Sequence, residues 1–327
     1  MGLLTRILAD DSSSLSRAAV EKQKNQQYPQ RQQTSDVETS GSITESDDSS
    51  SRVEANEGPT SRLKAKLKSL LIKHNGCTDD NEVMDVVNQL AASNQQTGRC
   101  SESDLFEGDY FTITAPTFPG RIKPTNKDDE EMVRYTLGRL SFNIFQPKDL
   151  VCTMNSVRNP VHPRTEASKD GQKTFSYHFV LDITIHTLDG DLPATMINEA
   201  FCYEHPDTNN KFMVTFTGGT LMPADELVND PHMLKLWETT FQDAYQKADE
   251  ERSYLGWFWQ YCLKLLLGLT LPSDKPSAVL DHTFHFSMKR SPTGFMQVLY
   301  LDDDLRITKG NRGTIVVAER AAGMLEQ

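Results

Sequence analysis

Large apolar side chains become scarce after Leu15, and Ser, Gln, Thr, Glu and Asp fill the chain to about residue 60. Such a run buries too little surface to offset its ordering entropy, so residues 1–60 are predicted to be a disordered tail. Leu63, Leu67, Leu70, Leu71 and His74 then recur at helical spacing, with Lys64, Lys66 and Lys68 elsewhere round the wheel and Gly76 as the stop. Asp79 and Asp80 are placed to cap a second helix with an apolar stripe of Val83, Val86, Val87 and Leu90. From Leu105 the period becomes that of strands. In 174–187, Phe175, Tyr177, Phe179, Leu181, Ile183 and Ile185 share one face; Ser176, His178, Asp182, Thr184 and His186 share the other, with Val180 the exception.

Further strands are predicted to begin at 106–111 and to occupy 133–145 (Leu140, Phe142, Ile144), 194–204, 211–217 (Phe212, Val214, Phe216), 281–289 (Phe284, Phe286, Met288) and 294–301. Thr217-Gly218-Gly219-Thr220 reads as a strand-ending turn, and a last pair spans 305–317 around the Lys309–Gly313 turn. Many strands with one apolar and one polar face suit a single antiparallel sheet, mainly β in class, curled into a barrel of about eight or nine strands. The predicted organisation is a tail at 1–60, a barrel domain at 61–320 with a helical insertion at about 231–271, and a tail at 321–327. The insertion opens at Pro231 and carries Leu234, Trp237, Phe241 and Tyr245, then the aromatic run Tyr254–Leu269.

Composition narrows the function. A net charge of -12 with no basic concentration argues against nucleic acid as a partner. Five scattered cysteines without a CxxC pair indicate neither a zinc site nor a redox dithiol, and fit a reducing compartment. The apolar start MGLLTRILA is too short for a secretory signal, Arg6 stands where myristoylation favours a hydroxyl, and the acids beyond it are unlike a transit peptide. No GxSxG elbow and no glycine-rich phosphate loop is present, so no cofactor is indicated. Asp302, Asp303 and Asp304 invite a metal, yet successive strand residues point to opposite faces and read better as solvated acids paired with Arg306 or Arg312. His178, Asp182 and His186 share a face, but strand positions four apart stand roughly 13 Å from each other; only His285 is a tempting further ligand.

The run Tyr300–Val317 carries the strongest signal. It resembles the C-terminal signature of the plastid lipid-associated protein (fibrillin) family, Y-L-D-x-D-L-R-I-x-R-G-x-x-G. Tyr300, Leu301, Asp302, Asp304, Leu305, Arg306, Ile307, Gly310 and Gly313 stand in it, with Lys309 replacing an arginine. The resemblance extends to the helical pair and to the opening Gly108-Asp109-Tyr110, similar to a lipocalin-type G-x-W with Tyr110 in place of tryptophan. It implies a lipocalin-like barrel in which Arg306 covers Tyr110 through cation–π contact and hydrogen bonds to nearby carbonyls. Gly108, Tyr110, Asp304, Arg306 and Gly310 would then determine the fold. Tyr110, Phe142, Phe175, Tyr177, Phe179, Leu181, Ile183, Phe212, Phe216, Phe284 and Phe286 would line the barrel, as a solid core or as a ligand cavity. The function implied is non-catalytic binding of an isoprenoid, carotenoid, quinone or acyl lipid at plastid membranes or plastoglobules, with the cytoplasm as the other compartment. Trp257, Phe258 and Trp259 are the candidate membrane contacts, because such rings favour the headgroup boundary. Two other readings stay open: a lipid isomerase or cyclase using an inward acid or histidine, and a scaffold with a solid barrel.

Overall fold

The structure, a computed structural model, describes residues 58–94, 98–123, 132–145, 147–168, 171–250, 269–270, 282–288 and 292–321. The tails predicted at 1–60 and 321–327 lie almost wholly outside the described residues, as do Trp257, Phe258, Trp259 and the side chain of Phe286.

The helical pair is α1 (Pro59–Lys73) and α2 (Asn81–Ser93). Pro59 sits in the first turn of α1, where its missing N–H costs nothing. The Gly76 amide donates to Leu71 O at 2.7 Å, at a φ of 75°. A Cβ there would stand 2.4 Å from the Ala115 amide nitrogen, so both conformation and space require glycine. The Asp80 carboxylate accepts from the Glu82 amide at 2.8 Å and caps α2. Leu67 and Leu71 of α1 and Val83, Val86, Val87 and Leu90 of α2 are buried together.

All twelve strands among the described residues belong to one antiparallel sheet. They are β1 (Gly108–Thr112), β2 (Arg134–Thr136), β3 (Val151–Pro163), β4 (Thr174–Tyr177), β5 (Phe179–His186), β6 (Asp191–Glu204), β7 (Lys211–Pro223), β8 (Leu269–Thr270), β9 (Phe284–Met288), β10 (Thr293–Leu301), β11 (Leu305–Gly310) and β12 (Ile315–Arg320). The pairings β1–β3–β5–β6–β7–β10–β11–β12 return to β1 and close a ring. β2 lies on β3, β4 bridges β3 and β6, and β9 with β8 extends from β7. Short helical turns α3 (Leu137–Leu140) and α4 (Asp225–Val228) and the long α5 (Pro231–Glu250) complete the described elements.

Alternation decides which side chains face inward. In β6 every even residue from Leu192 to Glu204 is buried. The inner face holds two apolar clusters. One gathers Met154, Leu181, Ile183, Ile185, Leu192 and Met196 with Trp237 and Phe241 of α5. The other gathers Phe106, Tyr110, Phe175, Tyr177, Phe212 and Val298. A third, on the opposite face of β10–β12, joins Tyr300, Leu305, Ile307, Ile315 and Val317 to the helical pair.

Three expected elements differ. In 133–145 only Arg134–Thr136 is strand. Leu137, Leu140 and Ile144 also satisfy a helical period, and Ser141 Oγ closes a turn by donating to Leu137 O and accepting from the Phe145 amide. Phe142 therefore leaves the expected inner row for a turn at φ 53°, where it is 38 % exposed. The strand at 174–187 breaks at His178. Opposite it stands Pro160, which has no N–H, and the His178 carbonyl takes the Asn159 side-chain amide instead. Thr217–Thr220 is no turn. β7 runs through it, with a register shift opposite Glu199/Ala200, where glycine tolerates the bulge.

The insertion is helical over Pro231–Glu250 and is docked on the sheet: Trp237 is fully buried, 4.5 Å from the Phe241 ring, and its indole N–H donates to His282 O at 2.9 Å. Trp237→Ala should destabilise the protein by about 3–5 kcal/mol, the range for emptying a buried aromatic site, read as a lower urea midpoint at unchanged slope. An unchanged midpoint would mean that α5 contributes nothing to the core.

Candidate functional site

The second inner cluster is built around Tyr110. β1 carries it inward between β3 and β12, and two short turns, Cys100–Glu102 and Asp104–Phe106, cross beneath it. Its hydroxyl donates to Leu105 O. The Arg306 guanidinium lies 3.9 Å from the centre of its ring. Arg306 reaches no turn carbonyl; it donates to Asn159 Oδ1. The carbonyls are taken by Arg320, whose Nη2 bonds Leu105 O and Glu107 O and lies 3.3 Å from Asp104 O and 3.1 Å from the Tyr110 hydroxyl. One role assigned to Arg306 is thus divided between two arginines. Arg320 escaped the sequence reading because its only clue is a register, Tyr110 opposite Arg320, formed between residues far apart in the chain. Gly108, at φ 132°, lets this guanidinium approach within 3.4 Å of where a Cβ would stand.

The acids of the signature fasten the helical pair. Lys64 Nζ lies 2.8 Å from Asp302 and also bonds Asp304. Asp302 accepts from the Tyr300 hydroxyl and, at 2.9 Å, from the Leu305 amide. An ammonium thus stands where a metal reading of Asp302–Asp304 would place its cation, although these acids lie close enough to share one. Burial works to raise the Asp302 carboxyl, but bonds shared with Asp304, Lys64, Tyr300 and the Leu305 amide outweigh it and hold it at about 2. Asp304 moves upward, through burial and then through its neighbour Asp302. Gly310 ends β11 with its amide on Thr314 O at 2.8 Å, while Gly313 takes the positive φ of the turn, 83°.

The other expected lining residues separate into two environments. Phe175 and Phe212 are fully buried with Phe106, whose ring is 5.0 Å and 4.2 Å from theirs. Leu181 and Ile183 belong to the first cluster. Phe284 packs against Phe241 at 5.1 Å, beside α5. Phe179 and Phe216 touch both inner clusters and are only partly buried, their rings 5.7 Å apart. Phe142 lies 5.1 Å from Phe216, and Tyr177 5.2 Å from Phe179. These four rings form a continuous row from exposed Phe142 to buried Tyr177.

His178, Asp182 and His186 project from the opposite face of β4–β5, away from Leu181 and Ile183. Asp182 takes Ser156 Oγ at 2.5 Å and Thr195 Oγ1 at 3.1 Å; His186 lies 2.7 Å from both Thr153 Oγ1 and Asp191. Burial lowers the His178 imidazole to about 4, so it stays neutral. His285 bonds Thr220 at 2.9 Å. The structure does not bring these groups together, and the inward acid or histidine required of an isomerase is none of the three. Burial also pushes the Cys100 and Cys152 thiols up to about 12 and moves Cys202 upward, away from thiolate chemistry.

Two consequences can be measured. Arg320→Ala should cost about 1.5–3 kcal/mol, since it removes a charged donor from part-buried carbonyls, and should lower the melting temperature. Asp302 has a folded value below its ordinary 3.8, so its stabilisation is complete above about 3.8 and is lost as pH falls towards 2. Asp302→Asn should flatten the acid limb of stability across that window, as followed by circular dichroism; an unaltered limb would remove Asp302 from the clamp.

The PAP_fibrillin family model matches residues 273–319. No curated protein and no solved structure matches the chain. The matched stretch holds β9 to β11 and β12 up to Glu319, the acids that grip Lys64, and Arg306. Over these C-terminal strands the chain is similar to the PAP_fibrillin family.

Proposed function

We propose that the ring of strands forms a lipocalin-like barrel that binds a hydrophobic small molecule between its two inner clusters, without catalysis. The observation that carries this reading is the position of Phe179 and Phe216: inward-facing aromatic rings, flanked by fully buried side chains, that nevertheless keep accessible surface beside exposed Phe142. Apolar surface removed from water is worth about 25 cal/mol per Å², so a hydrocarbon laid on these rings needs few polar contacts. The similarity of residues 273–319 to the PAP_fibrillin family supports lipid association, and with it a place at plastid membranes or plastoglobules. The ligand would be an isoprenoid, carotenoid, quinone or acyl chain. The aromatic run with Trp257, Phe258 and Trp259 would add contact with a lipid surface; none of the described helices is long and apolar enough to cross a membrane.

The purified protein should enhance the fluorescence of a neutral polyene and carry extractable lipid detected by mass spectrometry. The double variant Phe179→Ala/Phe216→Ala should weaken polyene binding by about tenfold or more, as the loss of two aromatic contacts predicts. Wild-type affinity in that variant would place the ligand elsewhere.

A further inference from the structure

Arg306 stands on β11 opposite Leu301 and Ala318, both members of the second inner cluster, so its side chain belongs to the inner face. It is 3 % exposed. The rings of Tyr110, Tyr177 and Phe106 lie 3.9, 5.6 and 6.0 Å from its central carbon. Rings can compensate the charge of a guanidinium, but its five N–H donors require acceptors. One is met by Asn159 Oδ1. Nε and Nη1 are buried with no hydrogen-bond partner, and no carboxylate among the described residues pairs with this arginine. An uncompensated buried charge costs several kcal/mol, so a purely structural arginine would be expected to have its terminal donors engaged, as the Nη2 of Arg320 is; Arg320 shares a buried, unmet Nε, so the unmet Nη1 is what sets Arg306 apart from it.

The aromatic row ends here. From Phe142 it passes through Phe216 and Phe179 to Tyr177, and the Tyr177 ring is 5.6 Å from the Arg306 guanidinium. An apolar track that starts at solvent and finishes at a cation with free donors matches a molecule with a hydrocarbon tail and an acidic end. We infer that Arg306 holds the carboxylate of a long-chain acid whose hydrocarbon lies along this row. The inference rests on the hydrophobic-ligand reading and narrows it from apolar molecules in general to acids. A carboxylate suits the site better than a phosphate: its single charge balances one guanidinium, and it offers the flat pair of acceptors that a guanidinium edge matches.

The full-length protein is titrated at neutral pH with a fluorescent long-chain polyene acid and with the alcohol of the same chain. The wild type should bind the acid about tenfold or more tightly than the alcohol, the effect of one charge-assisted hydrogen bond. Arg306→Gln should bring the acid down to the level of the alcohol and leave the alcohol unchanged. Thr308→Glu offers a second route should that variant fail to fold. Thr308 is buried on the same face two residues on, opposite Val298 of the second cluster, and a carboxylate there would neutralise Arg306 internally. It too should abolish the preference for acid while the alcohol still binds. Equal wild-type affinity for acid and alcohol overturns the carboxylate inference and leaves the hydrophobic-ligand reading standing. A preference for acid that survives in both variants removes Arg306 as its seat. Failure of the wild type to bind either probe overturns both readings.

Discussion

Closure of the ring rests on a strand of five residues, Gly108–Thr112, which alone joins β3 to β12. So short a strand contributes few ladder bonds of its own, and its place is set by Tyr110. The Tyr110 ring lies under one guanidinium and its hydroxyl touches another, so β1 is tied to β11 and β12 by side chains as well as by its own ladder. Cation–π contacts of this desolvated kind are worth about 2 kcal/mol each, which is substantial beside the marginal stability of a domain. The ordered turns beneath Tyr110 depend on the same centre, since Leu105 O accepts from both its hydroxyl and Arg320.

The two arginines show how position in a sheet divides labour between chemically identical groups. Arg320 meets the open carbonyls of a turn and spends its Nη2 there. Arg306 lies within the apolar interior, where only Asn159 meets its donors. In the first arrangement only Nε is left without a partner; in the second both Nε and Nη1 are. A cluster otherwise made of Phe106, Phe175, Phe212 and Val298 thereby gains a polar end.

The helices and the alternating strands were legible in the sequence because their signals are local. Asp80 caps α2 as its position predicts, and the face carrying Phe175, Leu181, Ile183 and Ile185 is the buried one. What escaped depended on partners distant along the chain. The break at His178 is imposed by Pro160 on another strand, and the fate of Arg320 by the register of β12 against β1. Leu137–Ile144 failed for a different reason: its spacing fits two periods, and the Ser141 hydroxyl decided between them. Of the candidate site, the inward row could be read from alternation. The residual accessibility of Phe179 and Phe216 depends on how neighbouring clusters meet and has no signature along the chain.

Lys64 belongs to the first described helix, and its acidic partners lie near the far end of the chain. β1 likewise waits for β12. During synthesis the amphipathic pair α1–α2 and the strand behind it leave the ribosome long before the residues that cover them exist. Their apolar faces stay partly uncovered until Leu305–Arg320 has emerged, which leaves the nascent chain exposed to aggregation while all the intervening strands are made, and an early stop in the last two strands would undo the beginning of the fold as well as its end.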